Sequence, residues 1–367
     1  MASSTTKIKT KLPAIPGTKP SVKNAQLLIS TGIPFLDNII GGGLPIGSLF
    51  IIEEDKYGFY ATIMLKYFMA EGIVISQPLL VASQDVKPRQ LISELPAVIN
   101  DSESHSKPAH NANDQMKIAW RYQNMKLVDS SPTGSQMFGH FFDLTKSMQQ
   151  DLLEQATIKQ WHENNPQEQN NMFENNAYGS LLHVIQETLQ DGQYLLSETV
   201  DKKKILRIAV HSLGSRLWLS NTEESSKRDL LKFLYCFRAL LRNSYAVGVV
   251  TIPVDTFDNI DAVVERSEHM SDIAIRLESF AGSAKETNPL FKDYHGLLHI
   301  KKLPALNILA PHSLEFRDLA FKLRRKKFLI EVLHLPPEFE DTTQREQDEI
   351  APAIGCMSGS HKKALDF

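Results

Sequence analysis

The loop at residues 53–59 lies where a nucleotide hydrolase would bind phosphate. It follows a short apolar run, precedes apolar residues at helical spacing, and reads Glu53-Glu54-Asp55-Lys56-Tyr57-Gly58-Phe59. A phosphate-binding loop uses glycine N–H groups, a lysine for the terminal phosphates and a hydroxyl for magnesium. This loop has one glycine and three carboxylates, and no serine or threonine follows its lysine.

Carboxylates at the start of a helix work against phosphate binding. They accept the N–H groups that would otherwise attract phosphate, and they repel its charge. We therefore interpret Asp55, Lys56 and Tyr57 as the remnant of a nucleotide loop. The alternative is a weak nucleotide contact through Lys56.

The strand that would supply a magnesium ligand also lacks the expected residue. Residues 205–211 are mostly apolar and end at His211 and Ser212, where a phosphate-loop enzyme has aspartate. His295 and His299 are four residues apart on a predicted strand, about 13 Å at strand rise, too far for one metal ion. The sequence predicts no metal site and no catalytic residue. A self-sufficient ATPase is the alternative of the enzyme class.

A basic run near the end of the folded part is the candidate for RNA contact. It contains Lys322, Arg324, Arg325, Lys326 and Lys327. Five cations on one short turn could contact an RNA backbone without reading bases. A solvated hairpin tip is the alternative.

Buried elements must position these loops. The segment from Thr31 to Gly72 reads as a helix, a glycine corner at residues 41–43, a buried strand, the loop and a second helix. Further strands are predicted at residues 79–83, 116–122, 205–211, 245–252, 271–280 and 296–300, and in a hairpin at 319–335. Strands separated by helices, followed by antiparallel strands, predict one α/β sheet with a late meander.

One helix has an apolar arc too broad for packing on a sheet alone. It includes Leu230, Leu234, Phe237 and Leu241, with further apolar residues beside them. We expect part of the arc to contact a neighbouring subunit. The interface candidates are Tyr57, Phe59, Leu231 and Tyr235.

Composition separates a folded body from polar segments. Residues 1–20 are predicted to be a flexible N-terminal segment, residues 21–337 the folded domain and residues 338–367 a polar tail. Polar insertions are predicted near 97–115 and 155–180. The formal charge of −3 gives no global attraction for nucleic acid. The first residues lack an apolar signal core and no run approaches a membrane span, so we expect an intracellular, soluble chain.

Several segments resemble the PAXNEB family, the fourth subunit of the eukaryotic Elongator complex. They include LDNIIGGGLPIGSLFIIEEDKY, MKIAWRYQ, FGHFFDLTK, ILRIAVHSLGS, LESFAGSAKETNPLFKDYHGLLHI and DLAFKLRRKKFLIEVLHLPPE. The resemblance implies a RecA-like ATPase fold, with a central mostly parallel sheet, flanking helices and late antiparallel strands, lacking functional Walker motifs.

The resemblance also implies partners and a process. It implies a ring of six, with two copies each of the fourth, fifth and sixth subunits, that binds tRNA, responds to ATP and docks on the larger subunits. Those subunits carry out the carboxymethyl-type modification of the wobble uridine, U34, and the fourth subunit itself is not catalytic. The implied location is cytoplasmic and also nuclear. The alternatives are a self-sufficient RecA-type ATPase and an assembly scaffold without RNA contact.

Overall fold

The computed structural model of the chain describes residues 15–21, 26–99, 138–162, 172–200, 202–254, 260–307 and 318–333. The strand predicted at 116–122, the polar tail at 338–367 and most of the N-terminal segment lie outside these residues. In the described part, no helix is long and apolar enough to cross a membrane.

Seven α-helices alternate with strands through the described residues. They are α1 (Pro34–Ile39), α2 (Phe59–Val74), α3 (Pro88–Ser93), α4 (Gln150–Gln155), α5 (Asn176–Asp191), α6 (Glu223–Arg242) and α7 (Ile260–Met270).

The strands form one large sheet and two small ones. They are β1 (Lys19–Pro20), β2 (Leu27–Ile29), β3 (Leu44–Pro45), β4 (Leu49–Glu53), β5 (Leu79–Ser83), β6 (Pro96–Val98), β7 (Phe142–Ser147), β8 (Ile158–Trp161), β9 (Leu206–His211), β10 (Ala246–Ile252), β11 (Ile273–Ser279), β12 (Gly296–Lys302), β13 (Leu319–Arg324) and β14 (Lys327–Val332).

The large sheet has nine strands in the order β14-β13-β12-β11-β4-β10-β9-β5-β8. The six strands from β11 to β8 are parallel to one another. The remaining three, β12, β13 and β14, form the antiparallel meander predicted from the sequence. A mixed α/β architecture with a mostly parallel sheet between helices is consistent with a RecA-like fold.

The central strands are apolar because helices cover both of their faces. Along β4, Phe50 and Ile52 pack in the cluster that contains α1 and α2. Leu49 and Ile51 pack in the opposite cluster, with α5 and α6. This alternation fixes which side of the sheet each helix occupies.

The glycine corner before β4 requires glycine at its last position. Gly43 has φ of +130°, a conformation that L residues rarely adopt. A Cβ atom there would lie 2.6 Å from the carbonyl oxygen of Ile29 in β2. Close approach of the two backbones therefore sets the path into β4.

The second polar insertion is shorter than predicted. The range 155–180 includes strand β8, which pairs with β5, and the first residues of α5. Trp161 explains the difference, because its indole is buried and stacks on Trp218 with the ring centroids 5.4 Å apart. One large aromatic residue thus anchors a strand in a mostly polar tract.

Candidate functional site

Asp55 closes the loop between β4 and α2 on itself. Its Oδ1 accepts hydrogen bonds from the backbone N–H groups of Tyr60 (2.9 Å) and Ala61 (3.2 Å) at the start of α2. Gly58 has φ of +65° and donates its N–H to the carbonyl oxygen of Asp55 at 2.7 Å. The free N–H groups at the start of a helix are the donors that bind phosphate, and here the Asp55 carboxylate accepts from them instead.

Lys56 and Tyr57 point away from this closed loop. Both side chains are exposed, and the Lys56 ammonium lies 5.4 Å from the centroid of the Tyr57 ring. Phe59 is also exposed. The three residues interpreted as a nucleotide-loop remnant are therefore divided, with Asp55 inside the fold and the other two on its surface.

Two glutamates at the end of β4 are buried and bond to different neighbours. Ser212 donates its hydroxyl to Glu54 Oε1 at 2.8 Å, and Arg276 donates to Glu53 Oε2 at 2.6 Å. Burial raises the pKa of Glu54 to about 7. Burial, together with a hydrogen bond to Glu268, raises the pKa of Glu53 to about 7 as well.

His211, at the end of β9, is held as a neutral imidazole. Thr62 donates its hydroxyl to the carbonyl of Gly58 at 2.6 Å, so it can accept from His211 Nε2, which lies 3.1 Å away. Nδ1 then accepts from the hydroxyl of Ser83 at 3.2 Å. Burial lowers the pKa of His211 to about 4.

The carboxyl ends of β4, β5, β9 and β10 therefore meet in one polar cluster. Ser212 completes it by donating its N–H to the hydroxyl of Thr251 at 2.8 Å, in a left-handed conformation with φ of +49°. Among the described residues, no three His, Cys, Asp or Glu side chains are grouped so as to hold a metal ion. The hydrogen bonds of Glu54, His211, Ser212 and Thr251 are thus made to one another and to residues beside them at the carboxyl edge of the sheet.

We expect Asp55→Ala to lower the free energy of unfolding by about 1 kcal/mol, because two N–H groups at the start of α2 lose their acceptor. Asp55→Asn is the matched control, since its amide oxygen can still accept. Equilibrium urea unfolding of the full chain measures both. Equal loss in the two variants would contradict a capping role for Oδ1.

The basic run is confirmed as a hairpin but not as five free cations. Lys322, one of the candidates for tRNA contact, is buried in β13 and forms an ion pair with Glu331 on β14, so its side chain is not presented to solvent. Lys326 lies 3.4 Å from Asp143. Lys327 lies 5.0 Å from the centroid of the Phe141 ring.

Arg324 and Arg325 remain exposed at the tip of the hairpin, which we call the hairpin tip. Within the described residues, no ion pair involves either guanidinium. The hairpin tip lies at the same edge of the sheet as the loop before α2, where Tyr60 packs on Phe321 with a centroid distance of 4.6 Å. It is the part of the basic run that remains available to a phosphate backbone.

The four interface candidates lie on two surfaces. Tyr57 and Phe59 are 64% and 53% exposed beside the closed loop. Leu231 and Tyr235 lie on α6 and line a groove of about 910 Å³ between α6 and α7. The broad apolar arc of α6 is thus buried on one side and lines an open groove on the other.

The model of the PAXNEB protein family matches residues 11–367 of the chain. The chain belongs to the PAXNEB family. The resemblance found in the sequence is thereby confirmed.

Named relatives of this PAXNEB chain span nearly its full length. The protein named Elongator complex protein 4 in Xenopus laevis is 42% identical, covering 98% of this chain and 94% of the relative. The Homo sapiens protein of that name is 41% identical, and the match covers 97% of this chain and 90% of the relative. The Saccharomyces cerevisiae protein of that name is 25% identical, and the match covers 87% of this chain and 76% of the relative.

Sequence reasoning missed the buried contacts of this PAXNEB site. It found the acidic loop and the missing aspartate but not the bonds of Glu54 to Ser212 or of His211 to Thr62 and Ser83. One signal was present, because parallel strands that end in polar residues bring those residues to a common edge. Choosing the partners required the strand order.

Proposed function

We propose that this chain is a non-catalytic subunit of the Elongator complex that assembles with the fifth and sixth subunits into a RecA-like heterohexameric ring. Relatives named Elongator complex protein 4 match it over almost its whole length, which supports membership of the complex. In this proposal the ring binds tRNA and docks on the larger subunits. It thereby supports carboxymethyl-type modification of the wobble uridine, U34, in the cytoplasm and also in the nucleus.

The capping of α2 by Asp55 is the observation that favours a non-catalytic role. A carboxylate bonded to those N–H groups competes with a triphosphate for the same donors and repels it. His211 is neutral and cannot replace a magnesium-binding aspartate. Each lost charge-assisted contact costs roughly 1.5–3 kcal/mol, so we expect this chain to bind no nucleotide cofactor by itself. A response of the assembled ring to ATP would then use residues of another subunit or a pocket at a subunit interface.

The hairpin tip supports the RNA part of the proposal. Arg324 and Arg325 are exposed, and guanidinium groups suit the geometry of phosphate oxygens. Contacts of this kind position an RNA without reading its sequence. The modification chemistry then belongs to another subunit, while this chain helps to hold the substrate.

Co-expression with the fifth and sixth subunits tests the proposal. Native mass spectrometry is expected to give an assembly with two copies of each chain, and a heavier species after tRNA is added. Arg324→Glu combined with Arg325→Glu should leave the ring intact but weaken tRNA binding. The plot of log affinity against log salt has a negative slope, and the magnitude of that slope should decrease by about 0.7–0.9 for each lost phosphate contact.

Lys87→Glu with Arg89→Glu is the matched control, since both residues are exposed beside β5, six strands from β13 and about 29 Å away. Failure to assemble would overturn the ring. An intact ring without tRNA crosslinks to this chain would favour the scaffold alternative. Hydrolysis of ATP by the purified chain alone would favour the ATPase alternative.

A further inference from the structure

The opposite edge of the large sheet, where the parallel strands begin, is basic. We call it the amino-edge surface, and its cations are Lys202, Lys203, Lys204, Arg238, Arg242 and Lys302. They come from the segment before β9, from the end of α6 and from the end of β12. The hairpin tip lies at the other edge, so the two basic surfaces are separate.

Two arginines on this surface share one carboxylate. Arg238 and Arg242 each donate from Nη2 to Asp272 Oδ1, at 2.7 Å and 2.5 Å. The other carboxylate oxygen of Asp272 accepts the N–H of Leu49 at 2.9 Å. Both arginines remain about one third exposed, so the pair presents more positive charge to solvent than the carboxylate neutralises.

The lysine run extends this positive charge along the edge. The Lys203 ammonium lies 4.0 Å from the centroid of the Tyr245 ring, at the start of β10. Lys202 and Lys204 are exposed and form no ion pair within the described part of the chain. From β11 to β9 the cations span three strand spacings, about 14 Å, which suits successive phosphates better than one small anion.

Acidic residues reduce this charge without cancelling it. The described carboxylates at the same edge include Asp191, Glu198, Glu268 and Asp272, and Asp201 precedes the lysine run in the sequence. Asp272 is already bound by both arginines. The one large apolar side chain exposed in the neighbouring described segment is Leu196. Protein interfaces usually have an apolar core, whereas nucleic-acid interfaces are polar and strongly positive.

We infer that the amino-edge surface is a second RNA site of this chain, which binds the phosphate backbone at the edge of the sheet opposite the hairpin tip. The inference rests on the proposed RNA function and adds a location to it. An RNA that contacts both edges is held at two separated points. Such a contact fixes its orientation more firmly than the hairpin tip alone.

The test uses the ring assembled by co-expression with the fifth and sixth subunits, fluorescein-labelled tRNA and a titration of salt. Lys202→Gln with Lys204→Gln removes two exposed charges and leaves Lys203 on Tyr245, so the fold is retained. We expect the dissociation constant to rise on the order of tenfold at physiological salt. The magnitude of the negative slope of log affinity against log salt should decrease by about 1.4–1.8 for the loss of two contacts.

Lys87→Gln with Arg89→Gln removes the same charge elsewhere and serves as the control. The inference fails if this control raises the dissociation constant for tRNA as much as the amino-edge variant, Lys202→Gln with Lys204→Gln, does. If Arg324→Glu with Arg325→Glu still weakens binding in that case, the proposed RNA function stands. A wild-type ring that does not bind tRNA overturns both. Tighter binding of poly-glutamate than of tRNA to the wild-type surface, lost in the amino-edge variant, would assign the surface to an acidic protein and also overturn the inference.

Discussion

We expect Arg207→Met to lower the free energy of unfolding by about 3–5 kcal/mol, the cost of removing one partner from a buried charge network. Arg207 lies in β9 and is fully buried. Burial lowers its pKa to about 10, so the guanidinium is charged at neutral pH. Equilibrium urea unfolding of the full chain measures the loss.

The size of this effect follows from what the guanidinium contacts. It donates to Gln77 Oε1 at 2.7 Å and to the carbonyl oxygens of Ser30 (2.9 Å) and Phe68 (3.0 Å). It also stacks over the Phe68 ring with its central carbon 4.6 Å from the centroid. Methionine can fill part of the space but donates nothing, so three buried acceptors lose their donor.

Two buried carboxyl groups would also lose their compensating charge. Glu71 and Asp37 both favour the charged form of Arg207. Burial raises the pKa of Asp37 to about 6. Adding Asp37→Asn and Glu71→Gln to Arg207→Met should therefore recover part of the lost stability.

Arg216→Met is the control for this experiment, because Arg216 is exposed. We expect a change within about 0.5 kcal/mol, as for most surface substitutions. A loss of less than 1 kcal/mol in Arg207→Met would contradict the network, as would equal losses in the two variants.

The strand that carries Arg207 was predictable from the sequence, but the role of Arg207 was not. A run of apolar residues at 205–211 predicted a covered strand, and the structure confirms it as β9. One arginine inside such a run signals a buried charge. Its acceptors lie 130 to 177 residues away in the chain, on α2, just after α2 and just after β2, so only the packing of these segments against β9 identifies them.

The basic hairpin illustrates a different limit. Its strands and turn were predicted correctly, because alternating apolar residues and the charged turn between them are local signals. Its charge was overestimated, since a count of cations ignores where each side chain points. Lys322 sits next to the apolar positions of β13 and meets Glu331 across the hairpin, which makes it part of the fold.

The loop at residues 53–59 was predictable in its chemistry and not in its detail. Its acidic residues indicated a helix cap, and Asp55 provides that cap. Nothing local separates Asp55 from Glu54, which instead bonds to Ser212 at the end of β9. The difference depends on which strands are neighbours at the edge of the sheet.

We expect Glu54→Gln to remove a pH-dependent loss of stability of about 3 kcal/mol. Burial raises the pKa of Glu54 from its ordinary 4.5 to about 7. Below pH 4.5 the group is protonated in the folded and the unfolded chain, and its full contribution to stability is present. As the pH rises towards 7, the unfolded chain ionises first, and the contribution is lost.

Glutamine keeps an uncharged side chain and an oxygen that can accept from Ser212. The variant and the wild type should therefore have similar free energies of unfolding near pH 4.5. The variant should be the more stable by up to about 3 kcal/mol near pH 8. Urea unfolding at a series of pH values gives the difference, in which the other titrating groups largely cancel.

Glu94→Gln serves as the control, because we expect it to lower the free energy of unfolding at neutral pH, whereas Glu54→Gln should raise it. The hydrogen bond from Lys66 lowers the pKa of Glu94, so that carboxylate stabilises the fold at neutral pH and loses this effect as the pH falls. Its side chain is 47% exposed, and we expect a smaller effect. A Glu54→Gln variant that is less stable than the wild type near pH 8 would contradict a strained, buried acid at the end of β4.

This experiment also bears on the proposed function. A carboxyl group with a pKa of about 7 is partly protonated near neutral pH, which makes it a poorer ligand for magnesium than a fully ionised carboxylate. If Glu54 titrates as described, the end of β4 carries a partly protonated acid and a capping carboxylate, an arrangement that does not favour a metal and a phosphate. A normal pKa for Glu54 would instead leave a second carboxylate beside Asp55, and the case for a non-catalytic edge would then rest on Asp55 and His211 alone.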